Sequence, residues 1–383
     1  MRKLLTISAL VLLTACGEKP KSEEVLIIEE PKNILEDLTY VIDTVVVDSG
    51  EEFINLSRGL YFSDVSIDKN SLFIFDRGRL SFQEVDLDQM KLLGTYPFEM
   101  EGPNGIGKGG IFQLLPDRKL MIPSVSKTAI YNLQGELISN LKLITDELDH
   151  MSDIDEFTLL NEIHFDPKSG VFYSLPGNYT SGIRELAIIN ATTNKGKAIK
   201  LPAMEKAGNF RVFFNTENEK AIEVEEYSLS LLHDKIYITC TVTGGVYRYN
   251  PATDDLEYIE FNHQLIPNEK TGDIINEVYS EKEFNAEYRK VASQVSYLKL
   301  MWDDETSRFY RLAYKGVLGD KQIEPISYKV FLLAYTEDMG LVGEATIPDF
   351  NKVPESYFFK DGKLWSYVNV EDELGFAVFT FNF

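Results

Sequence analysis

The 383-residue chain predicts an all-β fold, a β-propeller of six four-stranded blades carrying one helical insertion. Three observations predict it. First, a turn rich in Asp, Asn, Gly or Lys is followed by an apolar, aromatic strand six times: DKNSLFIFD from Asp68, PDRKLMIP from Pro116, DPKSGVFYSL from Asp166, HDKIYITC from His233, DDETSRFYRLA from Asp303 and KDGKLWSYV from Lys360. The turn residues supply unusual backbone angles or hydrogen bonds to the backbone, and the strands favour residues that fit a pleated surface. Second, the residues opening these strands, Leu72, Leu120, Val171, Ile236, Phe309 and Leu364, step by 48, 51, 65, 73 and 55 residues. A WD or kelch unit spans about 40 to 50, so the longer units carry insertions. Third, the last unit, ending LGFAVFTFNF, is one strand short, and LTYVIDTVVVD from Leu38 can complete it by pairing the two ends of the domain. Such closure removes an exposed sheet edge.

The elements follow in order. Arg2 and Lys3 precede an apolar run from Leu4 to Leu13, and small residues lead to Cys16. That is the pattern of a secretory signal, and the run Leu13-Thr14-Ala15-Cys16 resembles a bacterial lipobox. Residues 1–15 are read as the leader and Cys16 as the lipidated residue. The apolar run is too short for a membrane span, which needs about 20 residues. Residues 16–33, GEKPKSEEVLIIEEPKN after Cys16, have the charged, proline-punctuated composition of an acylated tether. Residues 34–383 form the propeller domain.

Within that domain each hairpin is preceded by a short strand, such as Asp64 to Ile67 or Tyr357 to Phe359. Third and fourth strands follow in several units, joined by polar turns at Gln134-Gly135, Thr193-Asn194, Thr253-Asp254 and Glu337-Asp338. Four antiparallel strands per unit is the composition of a propeller blade. From Asp273 to Leu298 apolar residues recur at three- and four-residue steps, which predicts one amphipathic helix packed on a blade.

Loss of residues 1–15 would leave 36 basic against 61 acidic residues, a net charge of −25. So acidic a surface repels nucleic acid, whose binding needs Lys and Arg to neutralise phosphates, and offers no polybasic attraction to anionic lipid. Contact with the membrane then rests on the lipid anchor. Cys240 is the second of two cysteines, so the domain has no internal disulfide, and its stability comes from burying 24 Phe, 20 Tyr and 2 Trp.

The lipobox, the acidic tether, the repeated hairpins, the loop EGPNGIGKGG and the run VSYLKLMWDDETSRFYRLAY together resemble the Bacteroidota lipoproteins grouped as domain of unknown function 4221. The resemblance implies a six-bladed propeller held at the cell envelope as an outer-membrane lipoprotein, periplasmic or surface-exposed. It implies no activity.

The chemistry-bearing residues are few. Gly102 to Lys108 fits the opening of a phosphate loop, and Gly105, Gly107 and Gly110 fit a dinucleotide pattern. Both need a helix next, to receive the anion, whereas IFQLLPDRKLMIP reads as strands. The loop is a flexible connection expected near the propeller axis, where Glu101, Asn104 and Lys108 would meet a ligand. Arg77 sits in FDRGR, and Arg311 interrupts an aromatic strand. A buried charge needs a partner, so each either braces the fold or binds an anionic group, and Arg311 leads the candidates. The acidic run DELDHMSDIDE from Asp146 lacks the glycine and terminal glutamate of a calcium loop. His150, His164, His233 and His263 are too scattered for a zinc motif, with His164 and His233 expected to make structural hydrogen bonds. Cys240 reads as buried and inert. No metal or cofactor is called for.

These readings favour a lipid-anchored binding module for a glycan, peptide or protein. The alternative is a carbohydrate-active hydrolase or lyase with its site at the axis, built from polar residues of different blades.

Overall fold

The computed structural model describes residues 33–383 apart from 108–109, 125–126, 144–155, 179–180, 217–219 and 321. The leader, Cys16 and the tether, Lys108, His150 and nearly all of the acidic run from Asp146 lie outside the described residues. Six four-stranded antiparallel sheets hold 24 of the 27 strands among the described residues. The first comprises Ser63–Val65, Ser71–Asp76, Ser81–Asp86 and Lys91–Pro97, and the second Gln113–Leu115, Lys119–Ile122, Thr128–Tyr131 and Leu137–Leu141. His164–Asp166, Val171–Ser174, Glu185–Asn190 and Gly196–Lys200 make the third, and Tyr227–Leu232, Lys235–Cys240, Thr243–Asn250 and Asp255–Ile259 the fourth. The fifth holds Val295–Asp303, Arg308–Val317, Ser327–Tyr335 and Leu341–Thr346.

The sixth sheet joins Tyr357–Lys360, Lys363–Val370 and Glu373–Asn382 to the N-terminal strand Thr39–Val46, which pairs antiparallel from Thr39 opposite Asn382 to Val46 opposite Gly375. The strand missing from the last unit thus comes from the start of the domain, as its sequence predicts. All six residues read as opening a second strand lie in one, and five of them are fully buried.

Why these strands read as unbroken apolar runs is visible in the packing. Successive residues on a strand face opposite sides, and here both sides are covered. Leu72 and Ile74 pack on the sixth sheet with Phe358 and Trp365, while Phe73 and Phe75 pack on the second with Leu120 and Ile122. The fourth sheet repeats this, with Ile236 and Ile238 facing the third sheet and Tyr237 facing the fifth. Further cores lie between the second and third sheets and between the fifth and sixth, so each sheet is covered by its two neighbours. Fully burying a large apolar side chain contributes about 1.5–3 kcal/mol, so these junctions dominate stability.

The insertion differs from its sequence reading. Helix α1 spans Glu281–Ala292, not Asp273 to Leu298. Ser280 caps it, its hydroxyl accepting from the Glu283 amide at 3.3 Å, while Glu283 accepts from the Tyr279 amide at 3.1 Å. This reciprocal cap sets a sharp start. Ahead of it Glu277–Val278 pairs with Val212–Asn215, which also pairs with Lys220–Glu223 in a small three-stranded sheet. Behind it Val295 to Leu298 is drawn into the fifth sheet. The apolar spacing still marks one core, since Val278, Phe284 and Val291 pack together, but only its middle is helical. Tertiary pairing overrides the local period at both ends.

Candidate functional site

The first strands of the sheets face the axis, and polar groups carried by or beside them bridge each junction. Between the first and second sheets the Asp64 carboxylate accepts from the Leu114 amide at 2.7 Å, its other oxygen accepting from Val65. Gln113 crosses to the third sheet, its amide donating to the Phe165 carbonyl at 2.9 Å and accepting from the Phe165 amide at 2.7 Å. Glu162 accepts from the Leu229 amide of the fourth sheet at 3.2 Å. The Tyr297 amide donates back to Thr241 at 3.1 Å, and the Lys299 amide donates to the Tyr357 hydroxyl at 3.2 Å. Lys360 returns to the first sheet through Asp88 at 2.5 Å and Asn70 at 3.4 Å.

Charges of both signs gather here. Asp64, Lys69, Glu162 and Lys299 each keep surface open to solvent, although protein surrounds the first three closely. Burial raises the Asp64 carboxyl above its ordinary range, against the pull of backbone donors and of Lys299 and Lys69. Burial likewise raises Glu162, with Lys299 opposing and Glu226 reinforcing. Lys69 is lowered by burial and by Lys299. His164 stands beside them, held down to about 4 by burial, its Nε2 lying 3.2 Å from the Gln113 amide nitrogen. A neutral His164 that accepts there carries its proton on Nδ1.

A bulge places Lys299. In the pairing of Val295–Asp303 with Arg308–Val317, Tyr297 lies opposite Ala313 but Leu300 opposite Arg311, so Leu298 and Lys299 share one partner position. An extra residue re-aims side chains. The Leu298 carbonyl thereby meets Arg311, and the Lys299 ammonium stands 5.5 Å from the centre of the Tyr357 ring.

The residues singled out by sequence fall elsewhere. Arg311 is fully buried between the fourth and fifth sheets and donates to the carbonyls of Leu298, Gly244, Thr243 and Cys240, with Tyr297 5.0 Å from its guanidinium. It braces a junction. Arg77 is exposed, 5.2 Å over the Phe62 ring. In the glycine-rich loop Asn104 accepts from the amide of Leu137 in the outermost strand of the second sheet, and Glu101 is exposed. Within the loop Gly105 lies against Glu101, where a Cβ would come within 2.6 Å of backbone, and its carbonyl accepts from the Tyr131 hydroxyl at 3.0 Å. A strand follows it, as read, not a helix.

The other described histidines and Cys240 make contacts within the fold. His233 meets Trp302 edge-on with ring centres 3.9 Å apart, and buried His263 pairs with Glu344 at 2.7 Å. Burial pushes the Cys240 thiol up to about 12. An open cleft of about 530 Å³ beside the fifth sheet is lined mostly by apolar residues such as Ile266, Phe331 and Ile347, with Lys315 and Lys329. It gathers no carboxylate. Sequence reading passed over Asp64, Lys69, Glu162 and Lys299. The available signal was a charged residue in, or next to, the short strand ahead of each hairpin.

Fold and site together define an all-β, propeller-like protein with a charged axis. The chain belongs to the DUF4221 family, a domain of unknown function, whose sequence model matches residues 33–346. That match stops before the last three strands, although Thr39–Val46 lies inside it and pairs with one of them. A DUF4221 family protein from Bacteroides vulgatus is similar in structure, with 13% identity and a TM-score of 0.60 over 90% of this chain and 98% of that one. A Bacteroides fragilis protein described as exported is 8% identical, with a TM-score of 0.48 over 89% of this chain and 95% of that one. The β-propeller domain of Cps50 from Myceliophteria thermophila is 10% identical, with a TM-score of 0.40 over 83% and 82%. At such identities the first likeness is one of fold. No curated protein matches the chain.

Proposed function

We propose that this chain is a lipid-anchored binding module of the cell envelope whose six sheets are the blades of one ring and whose axis takes a small polar ligand. The anchor reading is supported by the basic start, the apolar run and Cys16 in the sequence. The axis reading is carried by one observation. Lys299 acts on the charge of Asp64, Lys69 and Glu162, and Asp64 and Lys69 act on each other, yet among the described residues no ion pair within 4.0 Å joins them. Elsewhere the same protein closes such pairs, as Lys270 and Glu225 do at 2.6 Å with both side chains buried. Charges held apart across an opening fit a ligand placed between them.

Thermal unfolding of the full-length chain against amino acids, sugars, nucleotides and divalent ions tests this reading. A ligand at 100 times its dissociation constant adds about 2.7 kcal/mol, and Lys299→Met should abolish the shift. An undiminished shift in that variant would remove the axis as the site. Metabolic labelling with a fatty acid, lost in Cys16→Ser, tests the anchor.

A hydrolase reading keeps one supporting observation, since Asp64 and Glu162 are both raised, as a general acid requires. Turnover of a glycoside panel that disappears in Glu162→Gln would favour it over simple binding.

A further inference from the structure

We propose that the cleft beside the fifth sheet binds a medium-chain fatty acid, its carboxylate held between Lys315 and Lys329 and its alkyl chain lying along the apolar wall. None of Asp64, Lys69, Glu162 and Lys299 lines this cleft, so it is a second site.

Strand pairing brings the two lysines together. Lys315 and Lys329 stand directly opposite each other in the two central strands of the fifth sheet, and both line the cleft of about 530 Å³. Residues paired in this way share one face of the sheet, with Cβ atoms about 4.5–5.5 Å apart. The apolar wall lies on the same face. Val295 is the partner of Lys315 on its other side, Phe331 is two residues along from Lys329, and with Ile266 both belong to the core shared with the fourth sheet. The cleft is the end of that core, left uncovered. Its volume falls within the range of about 300–1,000 Å³ that takes small molecules.

The charges identify the ligand. Like charges directly opposite on a sheet are destabilising, and elsewhere this protein answers such charges with carboxylates. Lys360 stands opposite Lys363 but is held by Asp88 at 2.5 Å and Asp361 at 3.0 Å, and Arg248 stands opposite Glu257 at 2.5 Å. Lys315 and Lys329 make no ion pair within 4.0 Å among the described residues, and no carboxylate lines the cleft. An anionic group between them removes the repulsion and gains charge-assisted hydrogen bonds. Both lysines are exposed, so charge alone holds an anion weakly. The remaining affinity has to come from burying apolar surface, and Leu265 in the lining is 46% exposed. A carboxylate on an alkyl chain meets both demands. An anionic bilayer meets them less well, because attraction to it grows with the number of basic residues and a chain of net charge −23 is repelled.

The test is titration calorimetry of the full-length chain with decanoate, hexanoate, decanol and decyl phosphate, beside co-sedimentation with phosphatidylglycerol vesicles. Decanoate should bind, with hexanoate and decanol each at least tenfold weaker. Replacing both lysines, Lys315→Gln with Lys329→Gln, should weaken decanoate at least tenfold without lowering the melting temperature, since a repulsion is removed. Thr346→Trp, at an exposed position in the lining, should block the chain while both lysines remain. The proposal is overturned if decanoate does not bind, if decanol binds as tightly, or if either variant binds decanoate as the unaltered chain does. Decyl phosphate binding in place of decanoate would overturn the carboxylate. Sedimentation with vesicles that the double variant loses, without binding of free decanoate, would replace the fatty acid by a membrane surface.

Discussion

Two cations stand near each other in the fifth sheet and do opposite things. Arg311 is enclosed at the junction with the fourth sheet, where its guanidinium meets four backbone carbonyls. Lys299, on the neighbouring strand and one residue before Arg311's partner Leu300, reaches the axis and has no carboxylate within 4.0 Å among the described residues. The planar guanidinium suits several fixed acceptors at once, whereas an ammonium on a flexible stem suits a point contact with something that comes and goes. The same bulge serves both, offering the Leu298 carbonyl to one and the axis to the other. The enclosed charge is held by backbone acceptors, while the exposed one keeps its ammonium open to solvent.

Substitutions should separate the two roles by sign. Arg311→Leu leaves buried carbonyls without donors, each costing about 1–3 kcal/mol, so the variant should lose about 3 kcal/mol or more in denaturant unfolding. Arg311→Lys cannot span the same carbonyls and should recover less than half of that loss. Lys69→Met should move the other way, gaining about 1 kcal/mol by replacing an ammonium that burial disfavours, and losing ligand binding with it. A destabilised Lys69→Met variant would mean that the lysine braces the fold as Arg311 does.

Stability should also respond to pH at His164 and Glu223. His164 is held at about 4, below its ordinary 6.5, so between those values the unfolded chain binds the proton and the folded chain does not. Its contribution is complete above pH 6.5 and is lost as pH falls toward 4. Glu223 opposes this slope. Burial raises its carboxyl to about 7, so it favours the folded state at low pH and loses that contribution as pH rises from 4.5 through 7. Melting temperatures measured from pH 4 to 8 should therefore show a smaller loss toward acid in His164→Asn and a smaller loss toward neutral pH in Glu223→Gln than in the unaltered chain. Arg311→Leu should keep the slope and shift the whole curve.

The smallest effect is expected at the glycine-rich loop. Asn104→Ala removes a bond to the Leu137 amide at a partly exposed position, worth about 0.5–1.5 kcal/mol. Ligand binding should be unchanged, because the loop lies at the outer strand of the second sheet.

Much of the fold was legible because its signals are local and repeated. The hairpin turns lie where Asp68, Asp166 and Asp361 mark them, the second strands contain the residues read as opening them, and Thr39–Val46 completes the last sheet. The helix was half legible, since an apolar period says which residues share a core but not where backbone pairing will claim the ends. The site was scarcely legible. Arg311 drew attention as a charge in an apolar run, yet that marked a junction. Lys299 is one lysine in a mixed segment, and Asp64 and Glu162 are single carboxylates among 61 acidic residues.

By itself the sequence determined the sheets and the burial of both their faces, because turn chemistry and unbroken apolar runs act over a few residues and need no distant partner. Only the tertiary structure decided which charges meet. Positions 64, 69, 162 and 299 come together when the successive sheets pack side by side, and one extra residue in a strand directs Lys299 to the axis while its neighbour's carbonyl holds Arg311. Electrostatic neighbourhood is a property of distance in space, and no local pattern in the chain encodes it.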